Sequence, residues 1–265
     1  MTKVIVHAGF HKTGTTSLQD FFSRNKTALA PHLAYYGKLD FNRAGAHARI
    51  YAQRPFPHRR RKFRLALRSF LSNIPDHQTI ILSRETFSGG MPGHRRVTGG
   101  LMTSYVRPAK ALAAVIIQEL ERRFGKDVDI TFFYTTRARE PWLRSVYGHL
   151  LRSIRLTDTF DGFKARFPEN LSPASEAAQL SKALAPRPVF TSALEDTQNR
   201  AEGPAAALLD LLNIPPKTRA ALHPVPPKNT ANSQDLQAEF LKLNRTIKNE
   251  SKLKAKKEAL LKSAP

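Results

Sequence analysis

The chain contains no cysteine. That excludes a disulfide, a thiolate metal site and a thiol nucleophile, and it is the usage expected of a reducing compartment. No apolar run approaches the roughly 20 residues needed to cross a bilayer. The first residues enter an apolar strand instead of the basic and then apolar pattern of a secretory signal, so the expected location is the cytoplasm. There is no internal repeat. His7, His11, His47, His94 and His149 lack a ligand spacing such as HExxH, so no metal is expected. Acidic residues are also scarce, with 21 Asp and Glu against 43 Lys and Arg, for a formal charge of +22.

Such an excess attracts anionic partners and speeds their encounter without selecting among nucleotide, acidic glycan, nucleic acid and membrane surface. Its distribution is uneven, because between Phe41 and Gln118 the acidic residues are Asp76 and Glu85 alone. The 43–68 segment reads equally as a solvated basic face and as a surface for an acidic acceptor. Aromatic residues are not interleaved among its arginines, so no specific nucleic-acid groove is expected. At 265 residues the chain fits one α/β domain, taken as 1–247, followed by a lysine-rich, frayed tail from Lys248 to Pro265. Without anchoring aromatics that tail offers only weak contact with a membrane surface. Oligomeric state is not readable.

What the sequence does contain is a strand-loop-helix phrase near its start. Val4-Ile5-Val6 reads as a short buried strand, and Leu18, Phe21, Phe22 and Leu29 fall at helical spacing. Between them lies HAGFHKTGTTSLQ, His7 to Gln19. Such a loop aims backbone N–H groups and a helix N-terminus at one point, which suits a phosphate or sulfate. Gly9 and Gly14 have the GxxxxGK[ST] spacing, but Thr15 stands where a triphosphate loop has lysine, and Lys12 lies at the loop entry. That shift argues against ordinary ATP or GTP hydrolysis. It fits a shorter anion with one cation beside the bond being broken.

The phrase resembles the 5′-phosphosulfate loop of sulfotransferases that use 3′-phosphoadenosine-5′-phosphosulfate (PAPS), in their bacterial and glycan-directed branch. The resemblance implies a P-loop-like α/β three-layer sandwich with a central, mainly parallel sheet flanked by helices. It also implies transfer of a sulfuryl group to an acceptor hydroxyl or amine, with a saccharide or other anionic molecule as acceptor. His11, Lys12, Thr13, Gly14, Thr15, Thr16 and Ser17 become donor-binding candidates, with Lys12 also catalytic. His11 reads more simply as a satisfied loop histidine. A second match is TTRAREPWLRSVYGH, from Thr135 to His149, which resembles the motif holding the 3′-phosphate. It nominates Arg137 and Ser145, eight residues apart, with Arg139 as alternate. A guanidinium fork and a hydroxyl are sensible phosphate ligands.

Thr79-Ile80-Ile81-Leu82 reads as a second strand delivering Ser83, Arg84 and Glu85 at its carboxyl end, where open α/β sheets bind ligands. Family members carry a similar Ser-x-Glu segment, which implies Glu85 as the base toward the acceptor. An ion pair of Glu85 with Arg84 or another arginine is the competing reading. Thr98 to Arg107 reads as a mobile loop over the site. A crossover helix spans about Pro108 to Phe124, a third strand Ile130 to Tyr134, and Pro141 opens a helix. Trp142 is expected either to stack on adenine or to sit half-buried. A helical stretch within 158–184, a fourth strand at Arg187 to Thr191, a helix at Ala205 to Leu212 and a long helix from about Ser233 follow. Lys228 and Asn232 are weaker donor-contact candidates carried over from the family.

Two rival functions remain. An atypical P-loop kinase would share the fold, but should carry lysine at position 15 and a metal-binding aspartate at a strand end. A non-catalytic polyanion-binding protein would explain the charge, but not two ordered phosphate motifs.

Overall fold

The computed structural model describes residues 1–94, 100–197, 199–224 and 234–263; Lys228 and Asn232 lie outside them. Its centre is a five-stranded sheet in the order β2-β3-β1-β4-β5, with every pairing parallel. The strands are Lys3–His7 (β1), Ala34–Tyr36 (β2), Thr79–Ser83 (β3), Asp129–Thr136 (β4) and Val189–Ala193 (β5). Four match the sequence reading. The fifth, β2, was not expected, because three residues within a polar, aromatic stretch carry too little alternation to register.

Alternation within the strands builds two cores. Val4, Val6, Ile80, Leu82, Ile130, Phe132 and Tyr134 face one side, while Ile5, Ile81 and Phe133 face the other. The thinner side is covered by Leu18, Phe21 and Phe22 of helix α1 (Thr15–Arg24) and by Leu208 and Leu209. The thicker side carries α2 (Asn42–Gln53), α3 (Pro57–Asn73), α4 (Val106–Phe124), α5 (Arg139–Ser153) and α6 (Pro173–Leu184). The result is a three-layer α/β sandwich, in which helical crossovers join the parallel strands.

Strand β1 lies between β3 and β4: the chain fills one side of β1 first, edge strand β2 and then β3, and afterwards crosses to the other side for β4 and β5. A crevice opens at such a switch point beyond the carboxyl ends of the strands. The loops after β1, β3 and β4 all emerge there.

The expectation of a frayed tail from Lys248 is corrected. Residues Glu250–Ser263 form a helix, α8, after α7 (Gln234–Thr246). Leu253 and Lys257 are buried, and the Lys257 ammonium donates to the carbonyls of Leu151 (2.7 Å) and Ile154 (2.8 Å) at the end of α5. Asn244 of α7 also donates to Leu151 O. These two side chains satisfy carbonyls that a helix C-terminus leaves open. A lysine whose stem packs and whose head caps is invisible in a lysine-rich sequence. Of the loop expected from Thr98 to Arg107, Thr98 and Gly99 lie outside the described residues, and the carboxyl end comes earlier than expected because α4 already begins at Val106.

Candidate active site

The phosphate-loop phrase folds as strand, tight loop and helix. Lys12 has φ 69° and Gly14 φ 89°, both left-handed. Glycine adopts that region freely, but a lysine there is held by its surroundings. Those surroundings are visible. The His11 amide donates to the Tyr105 hydroxyl (3.2 Å), and the Trp142 indole donates to His11 O (3.0 Å). Arg137 reaches Lys12 O at 3.4 Å. The Thr13 hydroxyl bonds Phe10 O and Thr135 Oγ1, each at 2.7 Å, pinning the loop to the end of β4. Gly9 permits the closest packing: a β-carbon there would stand 2.4 Å from Thr15 Cγ2 and 2.5 Å from His7 Nε2.

Beyond the loop lies a cavity of about 1100 Å³. His11, Lys12, Gly14, Thr15, Thr16 and Ser17 line it from β1 and α1; Glu85 enters from β3, and Arg137 and Ser145 from β4 and α5. Thus, of the ten principal candidates from the sequence, nine meet in one space. Thr13 does not. It is fully buried and its hydroxyl is spent inside the loop, so its side chain positions the loop instead of touching a ligand.

The alternatives left open by the sequence separate here. Arg139 turns away and donates to the carbonyls of Leu171 (3.0 Å) and Pro168 (3.1 Å), whereas Arg137 faces the cavity. Arg84 donates to Lys38 O and Thr86 Oγ1. Among the described residues no arginine or lysine forms an ion pair with Glu85. Its Oε1 instead accepts a hydrogen bond from the Thr15 hydroxyl. Trp142 is fully buried, so both the stacking and the half-buried readings are corrected: the ring supports the loop from beneath.

The electrostatics are unusual for a surface cleft. Burial, and then Arg152, lower the Lys12 pKa, while Glu85 raises it. His11 is lowered by burial, against Glu85. His94 is lowered by burial and Arg49. His149 is pushed down to about 4 by burial and by Lys12, Arg152 and its histidine neighbours. Burial first, and nearby cations second, therefore disfavour the charged form of the imidazoles that share the cavity with Glu85. Among the described residues Lys12 makes no ion pair. That arrangement can hold a multiply charged anion, stabilise charge appearing on it, and accept a proton at Glu85.

Several cavity residues escaped the sequence reading. His149 lies one turn beyond Ser145 on α5, and that i,i+4 relation was a usable signal. Arg49, within the basic 43–68 segment already read as a candidate acceptor surface, and Gln53 come from α2, and Asn199, Arg200 and Glu202 from an irregular segment after β5; apart from that basic run, no local pattern marks these. Arg200 is not a free ligand, since Asp210 pairs with it at 2.6 Å. Among the described residues no group of three or more His, Asp or Glu is placed to hold a metal ion, and no helix is long and apolar enough to cross a membrane. No family model, no curated protein and no solved structure matches this chain.

Proposed function

We propose that the protein is a PAPS-dependent sulfotransferase acting on a hydroxyl or amine of an anionic acceptor, such as a saccharide. The observation that carries this reading is the convergence of Lys12, Thr16, Glu85, Arg137 and Ser145 on one cavity. They come from three strand ends far apart in sequence, and two of those segments carry motifs similar to the family's. The residues fit a nucleotide bearing phosphate at both ends: Lys12 and Arg137, neither in an ion pair among the described residues, both line the cavity, and the loop backbone is left-handed at Lys12 and Gly14.

Bound PAPS supplies an activated sulfuryl group. In this reading, the loop amides and the hydroxyls of Thr16 and Ser17 hold the 5′ end, and Arg137 with Ser145 holds the 3′-phosphate. Lys12 offsets the charge left on the phosphate oxygen as the sulfur–oxygen bond breaks. Glu85 takes the acceptor proton as the new bond to sulfur forms. The hydrogen bond from Thr15 occupies one oxygen of Glu85 and fixes the carboxylate plane, leaving the other oxygen for the acceptor. Ordinary kinase chemistry is disfavoured because position 15 holds threonine, whose hydroxyl is directed to Glu85.

Thermal melting with 3′,5′-adenosine bisphosphate, ATP and heparin tests the proposal, because a ligand that binds only the folded state raises the midpoint. The bisphosphate should stabilise most. Stabilisation by ATP but not by the bisphosphate would overturn the reading, and stabilisation by heparin alone would favour a non-catalytic polyanion binder.

A further inference from the structure

A concentration of positive charge with few carboxylate partners lies on α2 and α3, and of its cations only Arg49 lines the cavity. From Arg43 to Arg68 the chain has nine lysines and arginines and no acidic residue. Among the described residues Arg68 alone has a carboxylate partner there, Glu119 at 2.8 Å. Cations of the two helices come together at His47, whose pKa is lowered by burial and then by Arg43 of α2 and Lys62 of α3. Such crowding destabilises the folded chain by self-repulsion, and a bound anionic surface relieves it.

The same face carries apolar side chains that a purely electrostatic surface does not need. Phe63, Leu67 and Leu71 are the buried stripe of α3. The opposite stripe presents Leu65, 44% exposed, with Arg61 and Lys62 four and three residues before it. At the N-cap of α3, Phe56 is 52% exposed and stacks on His58, ring centroids 5.8 Å apart. A leucine ringed by cations, with an aromatic at the helix start, is the pattern of a helix lying in the headgroup region of an anionic bilayer. There the apolar tips enter the acyl boundary and the cations meet phosphates. A soluble polyanion would satisfy the arginines and give Leu65 and Phe56 nothing. The lysines of α8 differ in kind, since no large apolar side chain is exposed among them.

We infer that the outer face of α3, with the adjoining cations of α2, is a docking surface for anionic lipid bilayers. The inference is independent of the sulfotransferase reading, because it uses none of the cavity residues that reading depends on. The test is co-sedimentation of the full-length protein with vesicles of phosphatidylcholine alone or with about one-third phosphatidylglycerol, beside a heparin-binding assay.

The wild type should bind the anionic vesicles and leave the neutral ones. Arg61→Gln with Lys62→Gln should weaken vesicle binding about tenfold or more. Leu65→Ser should weaken vesicle binding and leave heparin binding unchanged. Lys252→Gln with Lys254→Gln and Lys256→Gln on α8 should change neither. Equal binding to both vesicle types, or no binding, would overturn the inference. So would a Leu65→Ser variant with unaltered vesicle affinity, which would make the face a soluble-polyanion site. Loss of binding in the α8 variant alone would move the contact to the carboxyl-terminal helix. All the altered side chains but Leu65 are charged and exposed, and Leu65 lies outside the core, so unchanged melting midpoints are expected and verify folding.

Discussion

Trp142 donates its indole N–H to the carbonyl of His11 at 3.0 Å, across 131 residues of chain. Through this bond the start of α5, which also carries Ser145, is tied to the loop that carries Lys12. The two phosphate-type motifs are therefore mechanically one unit. Trp142→Phe keeps much of the volume but leaves the His11 carbonyl without its donor, and an unsatisfied buried acceptor costs about 1–3 kcal/mol. The expected outcome is a lower unfolding free energy together with weaker binding of 3′,5′-adenosine bisphosphate. Calorimetry reads both. Lost stability with unchanged affinity would show that the bond supports the fold and not the loop's binding geometry.

Lys12 stands at the loop entry in a left-handed conformation, without an ion-pair partner among the described residues. If its ammonium acts on charge that develops during transfer, Lys12→Ala should lower kcat by about 10²–10³-fold while nucleotide affinity falls much less. Steady-state kinetics beside calorimetric titration separates the two effects. Equal losses in both would place Lys12 in ground-state binding.

The two arginines of the second motif have opposite surroundings. Arg137 faces the cavity and touches Lys12 O, whereas Arg139 is committed to the carbonyls of Leu171 and Pro168. Arg137→Ala should weaken the bisphosphate about ten- to hundredfold, as loss of a charge-assisted contact does, with little change in adenosine 5′-monophosphate binding. Arg139→Ala should lower the melting midpoint and leave affinity intact. The reverse pattern would exchange their roles.

Much of this arrangement was legible in the sequence because the informative segments are local. A glycine pair, an entry lysine and an apolar run on either side specify strand, loop and helix within about twenty residues. The residues at strand ends follow from the rule that parallel sheets present their loops at one edge. What stayed hidden depends on contacts between distant segments. Whether Arg137 or Arg139 faces the cavity is decided by where the carbonyls near Leu171 lie. Thr13 looked like its hydroxyl neighbours until Thr135 was seen beside it. Trp142 was expected to stack on adenine or to sit half-buried, but its ring is enclosed against a loop 131 residues away. The capping role of Lys257 needs the end of α5, which no carboxyl-terminal pattern predicts.

Gly9 offers a sharper test of loop packing. Its absent side chain leaves room for Thr15 Cγ2 and His7 Nε2, and a β-carbon would meet them at 2.4 and 2.5 Å. Gly9→Ala should therefore destabilise by about 1–3 kcal/mol through overpacking, and it should disturb the Thr15 contact to Glu85. Denaturant unfolding measures the first and turnover the second. A variant with wild-type stability would mean that the strand-loop junction adjusts freely, contrary to its fully buried neighbours.

The buried imidazoles predict how stability changes with pH. His7 is fully buried, shares a 2.7 Å hydrogen bond with Ser83 Oγ, and has no partner at Nε2 among the described residues. Burial pushes its pKa down to about 3, and His149 is held near 4, with His11 and His94 lowered in the same direction. Above the ordinary histidine value of 6.5, both the folded and unfolded chains keep these rings neutral, so they add no pH dependence. Below it the unfolded chain takes up protons that the folded chain refuses, and stability falls with pH. For His7 alone the loss approaches about 1.4 kcal/mol per pH unit once pH is well below 6.5. The lowered carboxylates, such as Asp210, act with the same sign but below their ordinary value near 4. The interval between pH 6.5 and 5 therefore reports the histidines. Urea unfolding at pH 7.5, 6 and 5 should show a falling midpoint with a constant slope. His7→Asn, which retains a polar partner for Ser83, should flatten the dependence by about one proton. A midpoint independent of pH over this interval would mean that the rings beneath and around the loop are solvated, and that the loop is not packed as described.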